Sequence, residues 1–374
     1  MCSSSIKPIS EAPISGGSTA GVNSWHSGRI ATLALLAFVC LVAITACRRK
    51  TIAVVQMFNG RTMGTTYSVK LVPGPQMPDL AAISAEIASE LERVNAQMST
   101  YRDDSEISRF NNSHTTDWFP VSPETVATVE LSLAVSAMTK GAFDITVGPL
   151  VSLWGFGPQG RAEHEPSEAT LTAARQACGY RHVSVRQEPP AIKKALPEVQ
   201  IDLSAIAKGH GVDRVAQVLD RAGVAAYFVE IGGEVRTRGT RLDGRDWQVG
   251  IERPSERERG IQTVVGLSGQ GLATSGDYRN FYNLDNQRVS HTIDPRTGRP
   301  TQSQVVSTSV VASSCALADA AATSLMVLDS EEGWQLAEQQ GWAVMMIVRN
   351  GDSMEVRASE SFRKLEQARP ASTP

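Results

Sequence analysis

The sequence predicts an α+β fold in which mixed and antiparallel β-sheets pack against helices. Several segments place apolar residues at three- and four-residue steps, which is typical of amphipathic helices. Other, shorter segments are rich in β-branched and aromatic residues, which is typical of strands. The two kinds of segment do not alternate strictly, as they would in a doubly wound parallel sheet, and most strands fall in the second half of the chain.

Length and composition are those of a globular protein. The chain has 374 residues, of which 41% are hydrophobic and 20% are charged, so it holds enough apolar material for a sizeable core. Its 36 basic and 39 acidic residues give a net charge of −3. Because nucleic-acid-binding proteins carry a clear excess of basic residues, the sequence predicts no nucleic-acid partner.

The first element is an N-terminal targeting segment. Residues 30–46 form an uncharged apolar run of 17 residues preceded by Arg29. This run is short for a spanning helix, which needs about 20 apolar residues, and it fits the hydrophobic region of a secretory signal. The predicted signal peptide therefore covers residues 1–46. An uncleaved signal anchor is the alternative.

The apolar run ends in a sequence that resembles a bacterial lipobox, Ile-Thr-Ala followed by Cys47. In such a site the cysteine is lipidated and becomes the new N-terminus, so Cys47 is the predicted lipidation site. Three basic residues follow at 48–50 and suit a position beside anionic lipid headgroups. The sequence thus predicts a tether over residues 47–60 and a lipid anchor at the periplasmic face of a bacterial membrane, with the inner membrane favoured.

The body of the chain begins with a predicted strand at 61–72, which is rich in Thr, Val and Tyr. A helix is predicted at 79–98, where apolar residues recur at three- and four-residue steps. Ser122 and Ser167 are suited to cap the next two predicted helices. The remaining predicted helices, these two included, are 123–139, 167–177, 212–221, 316–328 and 331–340. The remaining predicted strands are 200–203, 227–231, 234–238, 247–251, 263–267, 307–312 and 343–348.

Asp319 and Thr323 form a candidate metal site. They are four residues apart in a predicted helix, so a carboxylate and a hydroxyl project from the same face. Two oxygen donors on one face suit a hard divalent cation such as Mg²⁺, which proteins hold with few ligands plus substrate phosphates. The alternative is an aspartate that interacts favourably with the helix dipole, beside a packed threonine.

Residues 200–213 form a candidate nucleotide site, in which a predicted strand ends, small residues follow and a helix begins. Backbone amides exposed near a helix N-terminus favour phosphate. Asp202 could accept a hydrogen bond from a ribose or a base, and Lys208 could reach a phosphoryl oxygen. The spacing of a Walker A motif is absent. A plain strand–helix turn with solvated charges is the alternative.

His291 is the candidate acid–base residue. It precedes a predicted turn, Asp-Pro-Arg-Thr-Gly at 294–298, and is one of only six histidines in the chain. A histidine held between a strand and a turn can take up or release a proton near neutral pH. A structural histidine is the alternative.

Three further segments carry weaker signals. Residues 141–150 place Asp144 between apolar neighbours, where a carboxylate needs a partner. Residues 274–278 fit either a hairpin or an anion-binding turn. Residues 230–234, Glu-Ile-Gly-Gly-Glu, resemble a bulged strand whose backbone is closely approached by another group.

Taken in order, these segments resemble the ApbE family, the FAD:protein FMN transferases. The similarity covers about residues 63–346, nearly the whole of the predicted exported body. The motifs that carry it are MGTTYSV (63–69), MSTYRDDSEISRFN (98–111), GAFDITVGPL (141–150), DLSAIAKGHGVD (202–213), IGGEVRTRG (231–239), TSGDYRNFY (274–282), HTIDPRTGRP (291–300) and ADAAAT (318–323). The sequence departs from the family pattern at Ser204-Ala205, where Gly-Gly is common, and at His210, where Tyr is frequent.

The resemblance implies an ApbE-type, T-fold-like architecture for a flavin transferase domain at 61–350. The C-terminal segment at 351–374 is predicted to be partly disordered, because the tail of the chain has little apolar material to bury. It implies that FAD is bound as the substrate and that a divalent metal, Mg²⁺, engages its pyrophosphate. FMN then passes to a Thr or Ser hydroxyl of a target flavoprotein, and AMP is released.

The resemblance also implies residue roles, carried over by motif. Met63 and Tyr101 are expected at the flavin end of FAD, with the Tyr101 ring available for stacking. The other residues expected to bind FAD are Ala142, Phe143, Asp144, Asp202, Lys208 and Ser307. The residues expected to bind the metal are Asp319, Thr323 and Ala205, the last through its backbone carbonyl. His291 matches the candidate catalytic histidine of the family.

The expected protein substrates are flavoproteins with an acceptor site of the type D-x-x-[ST]-G-A-[ST], as in Na⁺-translocating NADH:quinone reductase and RNF-type complexes. Two alternatives remain open for the activity. The first is an FAD pyrophosphatase, which uses water as the acceptor, and the second is a non-catalytic lipoprotein that binds FAD.

Overall fold

The computed structural model describes residues 54–74, 79–157, 160–162, 164–255, 260–278, 281–284 and 287–367. The predicted signal peptide and the predicted lipidation site Cys47 lie outside these ranges. Within them, no helix combines the length and the apolar character needed to span a membrane.

Most of the described strands fall in the second half of the chain, as predicted. The described strands, in chain order, are β1 (Gln56–Thr62), β2 (Thr65–Leu71), β3 (Phe119–Pro120), β4 (Val183–Arg186), β5 (Ala191–Lys194), β6 (Tyr227–Ile231), β7 (Glu234–Arg238), β8 (Trp247–Glu252), β9 (Ile261–Leu267), β10 (Gly271–Gly276), β11 (Phe281–Leu284), β12 (Gln287–Ser290), β13 (Ile293–Asp294), β14 (Arg299–Pro300), β15 (Val305–Ala312), β16 (Ala343–Asn350) and β17 (Ser353–Ala358).

The helices are of ordinary length, and several begin at the predicted caps. The described α-helices, in chain order, are α1 (Leu80–Met98), α2 (Glu106–Asn112), α3 (Pro123–Met138), α4 (Gly148–Leu153), α5 (Glu168–Gln176), α6 (Ala207–Arg221), α7 (Cys315–Val327), α8 (Ser330–Gln339) and α9 (Glu360–Gln367). Ser122 caps α3 by accepting a hydrogen bond from the Thr125 amide, and Ser167 caps α5 through the Thr170 amide, as predicted.

One antiparallel sheet organises the molecule. Its eight strands lie in the order β1-β2-β6-β7-β10-β15-β16-β17, and every neighbouring pair is antiparallel. Smaller antiparallel units are formed by β3-β5-β4 and by the ribbons β8-β9, β11-β12 and β13-β14. The predicted α+β class with antiparallel sheets is confirmed.

The large sheet is covered on both faces. Val310 and Met346 pack with residues of α7 on one face, whereas their chain neighbours Val311 and Ile347 pack with the β8–β9 ribbon and α9 on the other. Successive side chains of a strand point to opposite faces, so a sheet buried on both sides needs continuous apolar runs. This explains why β15 and β16 are apolar without a polar alternation.

Two predicted strands were wrong in detail. The predicted strand 61–72 is a hairpin, because Met63 and Gly64 adopt φ values of 47° and 71° and form a two-residue turn between β1 and β2. The predicted strand 200–203 is irregular: the Asp202 amide donates to the Ile145 carbonyl at 2.7 Å instead of joining a ladder. The helix that follows begins at Ala207, five residues before its predicted start.

The predicted domain boundary at residue 350 was also wrong. Strand β17 pairs with β16 along its whole length, and α9 packs against β9 and β16. The Phe362 side chain of α9 is fully buried in the core behind the sheet. The domain therefore continues to residue 367, because β17 extends the sheet and Phe362, with Leu365 beside it, packs into the core. Residues 368–374 lie outside the described ranges.

The burial of Phe362 gives a first prediction. Phe362→Ala is expected to lower the free energy of unfolding by about 3–5 kcal/mol, the usual cost of removing a buried phenylalanine. Met354→Ala, on the neighbouring β17 but 45% exposed, is the matched control and is expected to cost about 0.5 kcal/mol or less. Urea denaturation followed by circular dichroism measures both. Equal losses in the two variants would show that α9 is not part of the core.

Candidate functional site

A cavity of about 1030 Å³ lies where β10, the start of α6, α7 and the β6–β7 turn meet. Ten of the residues that the sequence predicts for the site line it. They are Tyr101, Ala142, Phe143, Asp144, Asp202, Ala205, Lys208, His291, Asp319 and Thr323. These residues come from segments far apart in the chain, so the fold alone brings them together.

Met63 and Ser307 do not line the cavity. Met63 lies in the β1–β2 turn, and its thioether packs against α6, where a Cβ on Gly211 would lie 2.7 Å from the Met63 Cε. Ser307 lies in β15 opposite Gly276, which does line the cavity. The Ser307 hydroxyl is buried, and no described residue is its hydrogen-bond partner. The structure thus places both beside the cavity, and their contact with FAD stays a prediction.

A buried cluster of one lysine and two acids forms the polar centre of the cavity. Lys208 is the second residue of α6, Asp319 lies in the middle of α7, and Glu234 is the first residue of β7. The Lys208 Nζ lies 3.3 Å from the Glu234 Oε1 and 3.7 Å from the Asp319 Oδ2. Both carboxylates are almost completely buried. The Glu234 Oε2 has no hydrogen-bond partner within the described part of the chain.

The charges of this cluster do not balance. Burial raises the pKa of the Asp319 carboxyl and that of the Glu234 carboxyl, and the Lys208 ammonium opposes both rises. Burial alone would lower the pKa of Lys208, but the two carboxylates outweigh it and raise that pKa. Among the described residues, Lys208 is the only cation within ion-pair distance of either acid. One ammonium therefore faces two acids whose ionisation is opposed by burial, and a further cation would stabilise both of them as carboxylates.

Residues that can donate oxygen ligands to a cation line the cavity together with this cluster. Thr323 is one helical turn from Asp319 on the same face of α7, and its Oγ1 lies 3.2 Å from the Ser275 Oγ on β10. Ala205, in the turn before α6, lines the same cavity. No group of three or more His, Cys, Asp or Glu residues forms a metal cluster in the described ranges. A carboxylate, a hydroxyl and a carbonyl are ligands that Mg²⁺ accepts.

Glycine at position 209 permits α6 and α7 to approach closely. A Cβ at Gly209 would lie 2.4 Å from the Cys315 carbonyl oxygen, a distance that atoms do not adopt. The Gly209 amide donates a 3.0 Å hydrogen bond to the Asp319 Oδ2. The N-terminus of α6, with its partial positive charge, thus faces the Asp319 carboxylate and stabilises it.

Two predicted aspartates shape the cavity through the backbone. The Asp144 carboxylate accepts hydrogen bonds from the Thr146 amide at 2.8 Å and from the Tyr180 amide at 2.6 Å. Burial raises the pKa of the Asp144 carboxyl, and these hydrogen bonds oppose the rise. The Asp202 Oδ1 accepts from the Ser204 amide at 2.8 Å and so sets the turn that presents Ala205.

His291 lies on a wall of aromatic residues. Its ring is 6.2 Å from the Phe156 ring in an edge-on arrangement, and Phe156 is 5.2 Å from Tyr282. The turn after His291 is fixed by a hydrogen bond in which the Trp154 indole N–H donates to the Gly298 carbonyl at 2.8 Å. Near it, burial raises the pKa of the Asp277 carboxyl, while Arg288, Arg349 and His291 oppose that rise. His291 is therefore held in place on the cavity surface.

Tyr101 offers the most exposed aromatic face in the cavity. It lies in the turn after α1, and 71% of it is exposed. Its amide donates to the Ser99 Oγ at 3.2 Å, which ties the turn to the end of the helix. An exposed aromatic ring beside a cavity is available to stack on a planar ligand.

Glu234 is the residue that sequence reasoning missed. From the sequence alone, residues 230–234 were predicted only to form a bulged strand. In the structure, Gly232 and Gly233 have φ values of 63° and 108° and form the β6–β7 turn, which places Glu234 at the cavity. An acid directly after two turn glycines, at the start of a predicted strand, was the available signal. Its pairing with Lys208 depends on the fold.

Comparison with known proteins agrees with the geometry. The model of the ApbE family matches residues 63–346. The chain is 44% identical over 329 residues to the FAD:protein FMN transferase of Vibrio cholerae, covering 88% of this chain and 97% of that protein. It is 39% identical over 310 residues to the FAD:protein FMN transferase of Salmonella typhimurium, covering 82% of this chain and 88% of that protein.

Solved structures show the same similarity. The flavin transferase ApbE from Vibrio cholerae superposes with a TM-score of 0.78 at 44% identity, covering 84% of this chain and 99% of that one. The apo form of the flavinyl transferase ApbE from Pseudomonas stutzeri gives a TM-score of 0.77 at 38% identity, covering 84% of this chain and 97% of that one.

Proposed function

The chain belongs to the ApbE family, and on that premise we infer that it is a transferase that moves FMN from FAD onto a protein. The observation that carries the inference is the cavity itself, in which a lysine, two buried acids and several oxygen donors meet. Its volume of about 1030 Å³ is at the upper end for small-molecule sites. It is therefore large enough for a dinucleotide such as FAD.

We propose that the reaction depends on Mg²⁺, held by Asp319, Thr323 and the backbone carbonyl of Ala205. The support is the pairing of a single lysine with two buried acids, and the oxygen donors that line the same cavity. When bound there, Mg²⁺ would neutralise charge on the pyrophosphate of FAD. Its protein ligands would be few, as is usual where substrate phosphates complete the coordination.

The chain's own residues have separate tasks in the proposed transfer. Lys208 places a positive charge beside the phosphates, where negative charge grows as the bond breaks. His291 takes the proton from the acceptor hydroxyl of the target protein. The acceptor oxygen then forms a bond to the phosphorus of the FMN half, the pyrophosphate bond breaks, and AMP leaves. Tyr101 stacks on the flavin and so orients the FMN half for this displacement.

The location and the partners of the protein are also proposals. Lipidation at Cys47 would hold the enzyme at the periplasmic face of the membrane, and the support is the sequence of residues 30–50. The proposed targets are exported flavoproteins with a D-x-x-[ST]-G-A-[ST] site, such as subunits of Na⁺-translocating NADH:quinone reductase or RNF-type complexes.

A transfer assay tests this function. The full chain, solubilised in detergent, is incubated with FAD, Mg²⁺ and a target flavoprotein, and the target is examined for covalent flavin fluorescence after denaturing electrophoresis. The matched control is the same target with its acceptor Thr replaced by Ala. We expect fluorescence on the first target and none on the second, with one AMP released per FMN attached. Free FMN and AMP without labelling would indicate a pyrophosphatase, and intact bound FAD would indicate a storage protein.

A further inference from the structure

Two aspartates, the buried Asp319 and the partly buried Asp213, join α6 and α7 reciprocally near their N-termini. Asp319 of α7 accepts the Gly209 amide of α6 at 3.0 Å. In return, the Asp213 carboxylate of α6 accepts the Cys315 amide at 3.0 Å and the Ala316 amide at 2.9 Å. Each helix therefore supplies a side-chain cap for the first turn of the other.

Each helix depends on the other for this cap. The first turn of any helix leaves amides without partners. Helix α6 begins at Ala207, and its N-cap residue, Ile206, provides no side-chain cap. Helix α7 has its own cap, Ser314, but that hydroxyl accepts only the Leu317 amide. The two amides before Leu317 are those that Asp213 accepts, so Asp213 completes the first turn of α7.

Asp213 is held firmly and lies outside the cavity. Arg236 of β7 donates to the Asp213 Oδ1 at 2.8 Å and to the Ser313 carbonyl at 3.0 Å. The same carboxylate oxygen accepts the Cys315 amide. Asp213 is not among the residues that line the cavity. Any effect it has on the site therefore acts through the packing of α6, which carries Lys208, against α7, which carries Asp319 and Thr323.

We propose that Asp213 is a positioning residue, which fixes α7 along its axis so that Asp319 meets Lys208 at the cation site. The proposal rests on the proposed function, because it concerns the same Mg²⁺ site. Side chains that position metal ligands typically change metal affinity 10- to 100-fold when they are replaced. Asparagine at this position keeps the shape but has one acceptor oxygen, so it cannot accept both amides while facing Arg236.

The test compares two capping aspartates. Asp329 caps α8 in the same way, since its Oδ1 accepts the Glu331 and Glu332 amides at 2.9 Å each, and it does not line the cavity. Asp213→Asn and Asp329→Asn are made in the full chain. The dissociation constant for Mn²⁺, with ADP present, is measured by electron paramagnetic resonance, and the unfolding midpoint is measured in urea.

We expect Asp213→Asn to weaken Mn²⁺ binding roughly tenfold or more. Asp329→Asn keeps the one oxygen that caps α8, so it is expected to bind Mn²⁺ like the wild type and to keep nearly all of its stability. Arg236→Lys, a change at a partly exposed residue, weakens the contact with Asp213 less than Asp213→Asn does. The dissociation constant of this variant for Mn²⁺ is expected to lie between those of Asp213→Asn and Asp329→Asn. A Mn²⁺ affinity in Asp213→Asn and Arg236→Lys equal to that of Asp329→Asn would overturn the positioning role. Wild-type binding no tighter than that of Asp319→Asn would instead overturn the cation site and the proposed function.

Discussion

Asp319→Ala is expected to reduce FMN transfer by more than about a hundredfold, because the proposed cation site would lose its proposed charged ligand. Removing a single group that stabilises developing charge typically costs 10²–10³ in rate, and the variant also leaves the Gly209 amide without its acceptor. Lys208 would then pair with Glu234 alone. The measurement is the initial rate of covalent labelling of the target over a range of Mg²⁺ concentrations.

Two further variants distinguish a loss of transfer caused by the missing carboxylate from one caused by misfolding. Asp319→Asn keeps the size of the side chain and an oxygen for the Gly209 amide, so its fold should be retained while transfer is still lost. Asp329→Ala removes a capping carboxylate outside the cavity and should leave transfer nearly unchanged. Undiminished transfer in Asp319→Ala would remove Asp319 from the cation site.

His291→Ala is expected to slow transfer about 10²–10⁴-fold while changing FAD affinity far less. This is the usual contribution of a general base, and a base acts on the acceptor hydroxyl rather than on FAD. His291 meets the geometric requirement, since it lines the cavity and is held against Phe156. Single-turnover labelling gives the rate, and quenching of flavin fluorescence gives the affinity.

The control for this prediction is His114→Ala, which changes an exposed histidine away from the cavity and should leave both quantities unchanged. Added imidazole should restore part of the activity of His291→Ala if the missing group is a base. If rate and FAD affinity fall by the same factor and imidazole restores nothing, His291 is a binding residue.

Interactions between residues close to each other in the chain could be predicted from the sequence. Asp79, Ser122 and Ser167 accept amides two or three residues ahead of them, so their capping roles could be inferred without knowing the fold. The shared face of Asp319 and Thr323 follows from helical geometry alone. The resemblance of the motifs to the ApbE family, confirmed by the family match, extended these local inferences to most of the cavity.

Interactions between segments far apart in the chain could not be predicted from such local patterns. The start of α6 was predicted five residues late because Ile206 is not a capping residue, and the acceptor for Gly209 is 110 positions away in Asp319. The end of the domain was missed because the burial of Phe362 depends on the ribbon and strands behind the sheet. In both cases the stabilising partner is distant in the chain.

The sequence by itself determined the class of fold, the capped helices and the chemical types available to the site, because these depend on residue identity and short spacing. Only the tertiary structure decided which groups share the cavity: it added Glu234, left Met63 and Ser307 beside it, and set one lysine between two acids. The physical reason is burial. The pKa of a carboxyl group depends on its burial and on the charges beside it, and both are determined by the tertiary structure.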